Sequence, residues 1–413
     1  MHGSAVSRAR GERSLAAQAV LFGVYFLVLS SKSAFAMSMR VALPPTLLTR
    51  TITLSTLAIV AGKLCLGSAV DAMPASVYLA LATGLLSGIY LTVPKASPAA
   101  VSLLLVISDF FFSSIWPSLI KVMSVAELPA SAVTYIVNGG RLGTALSFYL
   151  GGRWMEAGKD WRRLFVFASR ACAAASLLAA AHHIRTRTAD DDSNGIGDDE
   201  SIHDDNDKQI DGSSQSLLST VLSPPYVLHS ISRASLMFFS TFLLFLPSYL
   251  SHLGVAGSGA PCGCYSLGTI AGVTSCSAAW TKLSARGKSS LCAATCLLGF
   301  LSSAAQYFFG RKIASASLAS ACFFVWGFSF SCSFFIAPTD YVVMASKRFP
   351  KSAIARLDNY MDVFAFGIMA KLNGWVSDVG VAGGRWDVVM IAMAAAVGIG
   401  GVATATAVRM ERG

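Results

Sequence analysis

The chain has 413 residues, 54% of them hydrophobic and only 13% charged, with a formal net charge of +10. A soluble domain carries about a quarter charged residues, so the composition excludes an ordinary soluble enzyme and indicates an integral membrane protein. The positive charge does not indicate a nucleic-acid partner, because Lys and Arg are spread over many short breaks instead of one soluble face.

Crossing a hydrocarbon core of about 30 Å takes about 20 apolar residues. In chain order, runs of that length fall near 15–39, 47–70, 76–94, 99–122, 130–152 and 162–183. A second set falls near 226–250, 259–279, 289–309, 317–345, 353–374 and 386–408. Arg8, Arg10 and Arg13 before the first run resemble the start of a signal peptide. The many spans that follow favour a retained helix.

Between the two sets lies TRTADDDSNGIGDDESIHDDNDKQIDGSSQS, from Thr186 to Ser216. It has almost no apolar residues and a dense acidic block, the composition of a disordered tether. The predicted organisation is therefore a tail (1–14), a six-helix bundle (15–183), an acidic linker (184–223), a second six-helix bundle (224–408) and a short tail (409–413). An even number of spans puts both tails and the linker on one face. Lys and Arg are more frequent there, which predicts a cytosolic location for that face. Whether the membrane is the plasma membrane or an organelle's is left open.

The charges inside the spans carry the functional signal. Arg141 stands in VNGGRLGTALSFYLGG about 11 residues into its helix, hence about 16 Å deep, where a lone Arg costs about 2.5–3.5 kcal/mol to insert. A guanidinium there faces a cavity or a partner, and its planar fork suits a substrate anion. Asn138, three residues earlier, shares its face. Lys32 is similarly deep and is a second candidate anion ligand. Asp109 and Asp362 lie mid-span and are candidates for coupling or charge balance. Asp358 shares a face with Asp362, Arg356 is adjacent, and Asp340 follows Pro338. Asp340 and Asp358 lie nearer the tail-bearing face, where an ion-pair latch with Arg356 or Lys347 is the expectation.

No nucleophile triad, phosphate-binding Gly loop or metal-ligand spacing stands out, so no catalytic site, cofactor or metal is expected. The nine Cys lie mostly within spans and read as small packing residues.

GKLCLGSAVD, Gly62 to Asp71, resembles the motif at the end of the second helix of the major facilitator superfamily, with Ala72 where that motif has Arg. The resemblance implies an all-α membrane fold of about 12 transmembrane helices in two pseudo-repeat bundles, with a gating role for Asp71 and Lys121 as its ionic partner. Within the superfamily, the chain is most similar to the organophosphate:phosphate antiporters. The shared features are Gly67-Ser68 ahead of Asp71, Trp116-Pro117 ahead of Lys121, Asn138 and Gly143 around Arg141, Pro247-Ser248-Tyr249-Leu250, Pro350-Lys351 and Trp386-Asp387. That family holds phosphate with one Arg in its first helix and one in its seventh. Here Lys32 takes the first place, Phe239 the second, and Arg233 is the nearest cation. The implied function is secondary transport of a small organic anion by alternating access, with a phosphate ester as one substrate and a proton or phosphate as counter-substrate. A proton-coupled carrier of a neutral solute such as a sugar, and a non-transporting receptor or scaffold of the same fold, remain open alternatives.

Overall fold

The computed structural model describes residues 2–126, 128, 131–194, 219–255, 259–310, 315–346 and 351–411; within them the side chains of Asp71 and Arg356, among others, lie outside the described set. The described residues are helical with short connections. The membrane-crossing helices are, in order, His2–Ala42, Pro45–Ala72, Ala75–Thr92, the pair Pro98–Phe112 and Ile115–Val125, Ser131–Glu156 and Arg162–Asn194. Then come Pro224–Thr241 continued by Leu246–His252, Gly259–Trp280, Ala285–Phe309, Ala316–Ser331 continued by Ala337–Ser346, Lys351–Val376, and Trp386–Met410. We refer to these as the first to twelfth helices.

The boundaries follow local chemistry. Pro45, Pro98 and Pro224 open their helices, where the missing N–H removes no intrahelical bond. Ser97, Ser284 and Ser315 cap the fourth, ninth and tenth by accepting from the N–H groups of Ala100, Gly287 and Leu318. Hydroxyls inside the bilayer bond back to their own helix, as Ser30, Ser33 and Ser38 do to Phe26, Leu29 and Ala34, which satisfies them where no bulk water is at hand. The sixth helix runs to Asn194, past the predicted end near 183 and into the acidic stretch; once a helix is nucleated, each further residue adds a hydrogen bond at little cost. The remaining acidic residues of the predicted tether fall outside the described set.

Among the described residues, nine helices are long and apolar enough to cross a membrane. The fifth (26 residues), eighth (22) and eleventh (26) are long enough but carry more small and polar residues. That composition matches their position. The fifth packs on the eighth and the second on the eleventh, so these helices form the two seams between the six-helix groups. Within each group, the first helix packs on the fifth and sixth, the second on the fourth, the eighth on the tenth and the twelfth on the seventh and ninth. At the face opposite the chain ends, Gly152 and Gly259 bring the backbones of the fifth and eighth helices together, and a Cβ on Gly152 would collide with Gly259. There too Thr49 and Ser377 share a hydrogen bond at 2.6 Å across the second seam.

Candidate functional site

Arg141 owes its position to its neighbours in sequence. Gly139, Gly140 and Gly143 press against Phe22, Tyr25 and the Phe26 carbonyl of the first helix, leaving no room for side chains there. Arg141 stands off that contact, its guanidinium carbon 5.0 Å from the centroid of the Phe335 ring in the other half. Tyr25 and Tyr265 are its polar neighbours, and the Tyr265 hydroxyl is committed as a donor to the Phe239 carbonyl at 2.6 Å. Among the described residues, no carboxylate and no hydrogen-bond acceptor meets the Arg141 guanidinium. Asn138 Nδ2 donates to Thr274 across the fifth–eighth seam at 2.9 Å, while its buried Oδ1 has no partner.

The other candidate cations are tied to carboxylates. Lys32 forms an ion pair with Asp109 inside the first half and lies 4.3 Å from the centroid of the Phe112 ring. Arg233 donates through Nε to Asp362 at 3.0 Å and reaches the same oxygen with Nη2 at 2.9 Å. Asp358 is 3.7 Å from that Nη2. Asp362 is also held from the first half: Lys63 Nζ lies 2.8 Å from its second oxygen and 3.5 Å from the amide oxygen of Asn359. Lys63 and Asp362 are both buried. The pair joins the halves at the second–eleventh seam, and the sequence reading did not single Lys63 out.

One backbone irregularity explains how Arg233 is satisfied. In the tenth helix, Cys332–Ile336 adopts π-helical turns, and Pro338 follows. Proline has no N–H to give the carbonyl four residues back, which is that of Phe334. Arg233 Nη1 donates to that carbonyl at 2.9 Å, and its guanidinium lies 4.6 Å from the Phe334 ring centroid. The adjoining Phe335 is the ring against Arg141, so a single wide turn serves both arginines.

The predicted gating residues sit toward the chain-end face. Lys121 donates to the Val70 and Met73 carbonyls at 2.7 and 3.1 Å, capping the end of the second helix; the Asp71 side chain lies outside the described residues. Asp340 accepts from Lys288 at 3.1 Å and from the Trp280 indole at 2.8 Å, both in its own half. The expected partners Lys347 and Arg356 lie, by residue or by side chain, outside the described set. Asp358 turns inward, toward Arg233 and the Trp116 indole.

The structure therefore brings Arg141, Tyr25, Lys63, Arg233, Asp358 and Asp362 together at the centre. Lys32 and Asp109 pair with each other inside the first half.

A solved structure, that of a mutant of the nucleoside transporter NupG, shares the fold with a TM-score of 0.65 over 97% of this chain and 100% of that one, at 14% identity. No curated protein sequence matches the chain. The model of the Major Facilitator Superfamily matches residues 15–369. That match covers most of the chain and agrees with the helical architecture: the chain belongs to the Major Facilitator Superfamily of membrane transporters.

Proposed function

We propose that the protein is a secondary transporter of a small organic anion, working by alternating access between its two six-helix halves, with the chain ends in the cytosol. The carrying observation is Arg141: a cation deep in the fifth helix that no described carboxylate or acceptor neutralises. Such a side chain is costly in a bilayer unless it faces a polar ligand or a water-filled path. Asp362, held by Lys63 from one half and Arg233 from the other, is the hinge of charge balance that rocking must rearrange. The likeness to organophosphate antiporters supports the anionic class.

The test is counterflow of organic anions into proteoliposomes. Arg141→Ala is expected to lose flux while keeping a monodisperse profile in detergent, and Arg141→Lys to retain part of it. Flux by Arg141→Ala equal to wild type overturns the reading.

A second reading, transport of a neutral solute such as a nucleoside, draws on the pairing of the other candidate cations: Lys63, Arg233 and Lys32 each already have a carboxylate. It predicts uptake indifferent to substrate charge.

A further inference from the structure

The charges at the centre do not balance. Among the described residues, Arg141, Lys63 and Arg233 face Asp358 and Asp362: three cations against two carboxylates, leaving one positive charge. Nor is the surplus shared. Arg233 commits Nε and Nη2 to Asp362 and Nη1 to the Phe334 carbonyl, and Lys63 is held by Asp362 and Asn359. A ligand with two negative charges would find one free cation and would have to strip a buried carboxylate from its partners for the second, a costly exchange in low dielectric. A single negative charge is matched by Arg141 with the ion pairs of Asp362 left intact.

The surroundings of that one cation are aromatic. Phe335 lies under the guanidinium and meets Phe334 edge-on at 4.7 Å. On the first-half side Tyr25, a neighbour of Arg141, packs against Trp116 with centroids 5.4 Å apart. Phe335, Tyr25 and Trp116 are each part-exposed rather than sealed in the core, and aromatic side chains of this kind suit a flat body. One helical turn from Arg141, about 5–6 Å between side-chain origins, the buried Asn138 Oδ1 lacks a donor. An unmet buried acceptor is destabilising, and a donor on the ligand would satisfy it.

Building on the organic-anion reading, we propose that the central site selects a singly charged anion with a planar aromatic body bearing a hydrogen-bond donor. A hydroxy-substituted aromatic monocarboxylate is the minimal example. Arg141 takes the carboxylate through its fork, Phe335, Tyr25 and Trp116 take the ring, and Asn138 Oδ1 accepts from the hydroxyl. Dicarboxylates and phosphate monoesters are disfavoured, because among the described residues every other cation at the centre is already paired.

The experiment is thermal stability of the purified full chain in detergent, since a ligand that binds the folded state raises apparent stability. The probes are 4-hydroxybenzoate, benzoate, cyclohexanecarboxylate, succinate, glycerol 3-phosphate and uridine. The expected order of affinity is 4-hydroxybenzoate, then benzoate, then cyclohexanecarboxylate, with no shift from the others. Asn138→Ala is expected to weaken 4-hydroxybenzoate about tenfold, the equivalent of one hydrogen bond, and benzoate by much less. Arg141→Ala removes every shift, and Arg141→Lys, which keeps the charge, guards against a folding defect. Stabilisation by succinate or glycerol 3-phosphate without benzoate overturns the inference and leaves the organic-anion reading standing. A shift from uridine alone overturns both. No shift from either aromatic monoanion on a well-folded protein overturns the inference.

Discussion

Lys63 in the second helix and Arg233 in the seventh close on one carboxylate, Asp362, at 2.8 and 2.9 Å, so the two halves of the molecule share a single buried anion. Removing one member of a buried ion pair costs about 3–5 kcal/mol, because the other charge is left unpaired in low dielectric. Asp362→Asn strands two cations and is expected to lower the midpoint of thermal unfolding in detergent more than any other single change at the centre. Lys63→Met leaves Asp362 on Arg233 and is expected to cost clearly less. Equal midpoints for the two variants would show that Asp362 does not unite them.

At the opposite face, Thr49 and Ser377 meet hydroxyl to hydroxyl at 2.6 Å across the second–eleventh seam. Alternating access requires these helices to part there once per cycle. Side chains this close lie within the span a disulfide bridges. The double substitution Thr49→Cys with Ser377→Cys is expected to crosslink under mild oxidation and to arrest flux, with recovery on reduction. Undiminished flux by a protein shown by mass spectrometry to be crosslinked would mean that this seam does not open.

Lys32 looked from the sequence like a substrate ligand, yet it is paired with Asp109, which is only 5% exposed. The expectation is a strong coupling: Lys32→Met and Asp109→Leu each destabilise, and the double variant regains at least about 1 kcal/mol relative to their sum. Because the pair is neutral as a unit, the double variant is also expected to keep anion binding. Loss of binding in that variant, with stability recovered, would return Lys32 to the substrate.

The span positions were legible because hydrophobic runs set by bilayer thickness need no knowledge of neighbours; the first span, predicted at 15–39, coincides with the apolar segment Ser14–Ser38. Arg141 was legible for a related reason, since one charge in an apolar run is conspicuous whatever it touches. Pairings were not. Lys63 sits in GKLCLGSAVD, where Gly67 and Asp71 carry the family motif, and its partner comes from the eleventh helix of the other half. A lysine eight residues before Asp71, well inside the helix end, was the signal, and only packing reveals what it meets. Phe239 occupies the place where the resembling family has a cation and is fully buried among Trp326 and Phe330. Arg233, nearly two turns earlier, reaches the centre through the eleventh helix.

Pro338 links sequence, backbone and site most directly, and its removal is informative. Alanine at this position would restore an N–H that competes for the Phe334 carbonyl now accepting from Arg233 at 2.9 Å. The π-helical turns of Cys332–Ile336 would then tighten toward α-geometry. Arg233 would lose a charge-assisted hydrogen bond of about 1.5–3 kcal/mol, partly offset by the new helical bond and by the better helix propensity of alanine. Global stability is therefore expected to change little. The position of Phe335 is expected to change more, since it lies in the same turn and forms the ring surface beside Arg141. Pro338→Ala should thus weaken binding of whichever anion stabilises the wild type, by about threefold to tenfold, or about 0.7–1.4 kcal/mol, with a near-native midpoint in its absence. Native affinity in Pro338→Ala would show that the wide turn serves Arg233 alone and does not position the ring against Arg141.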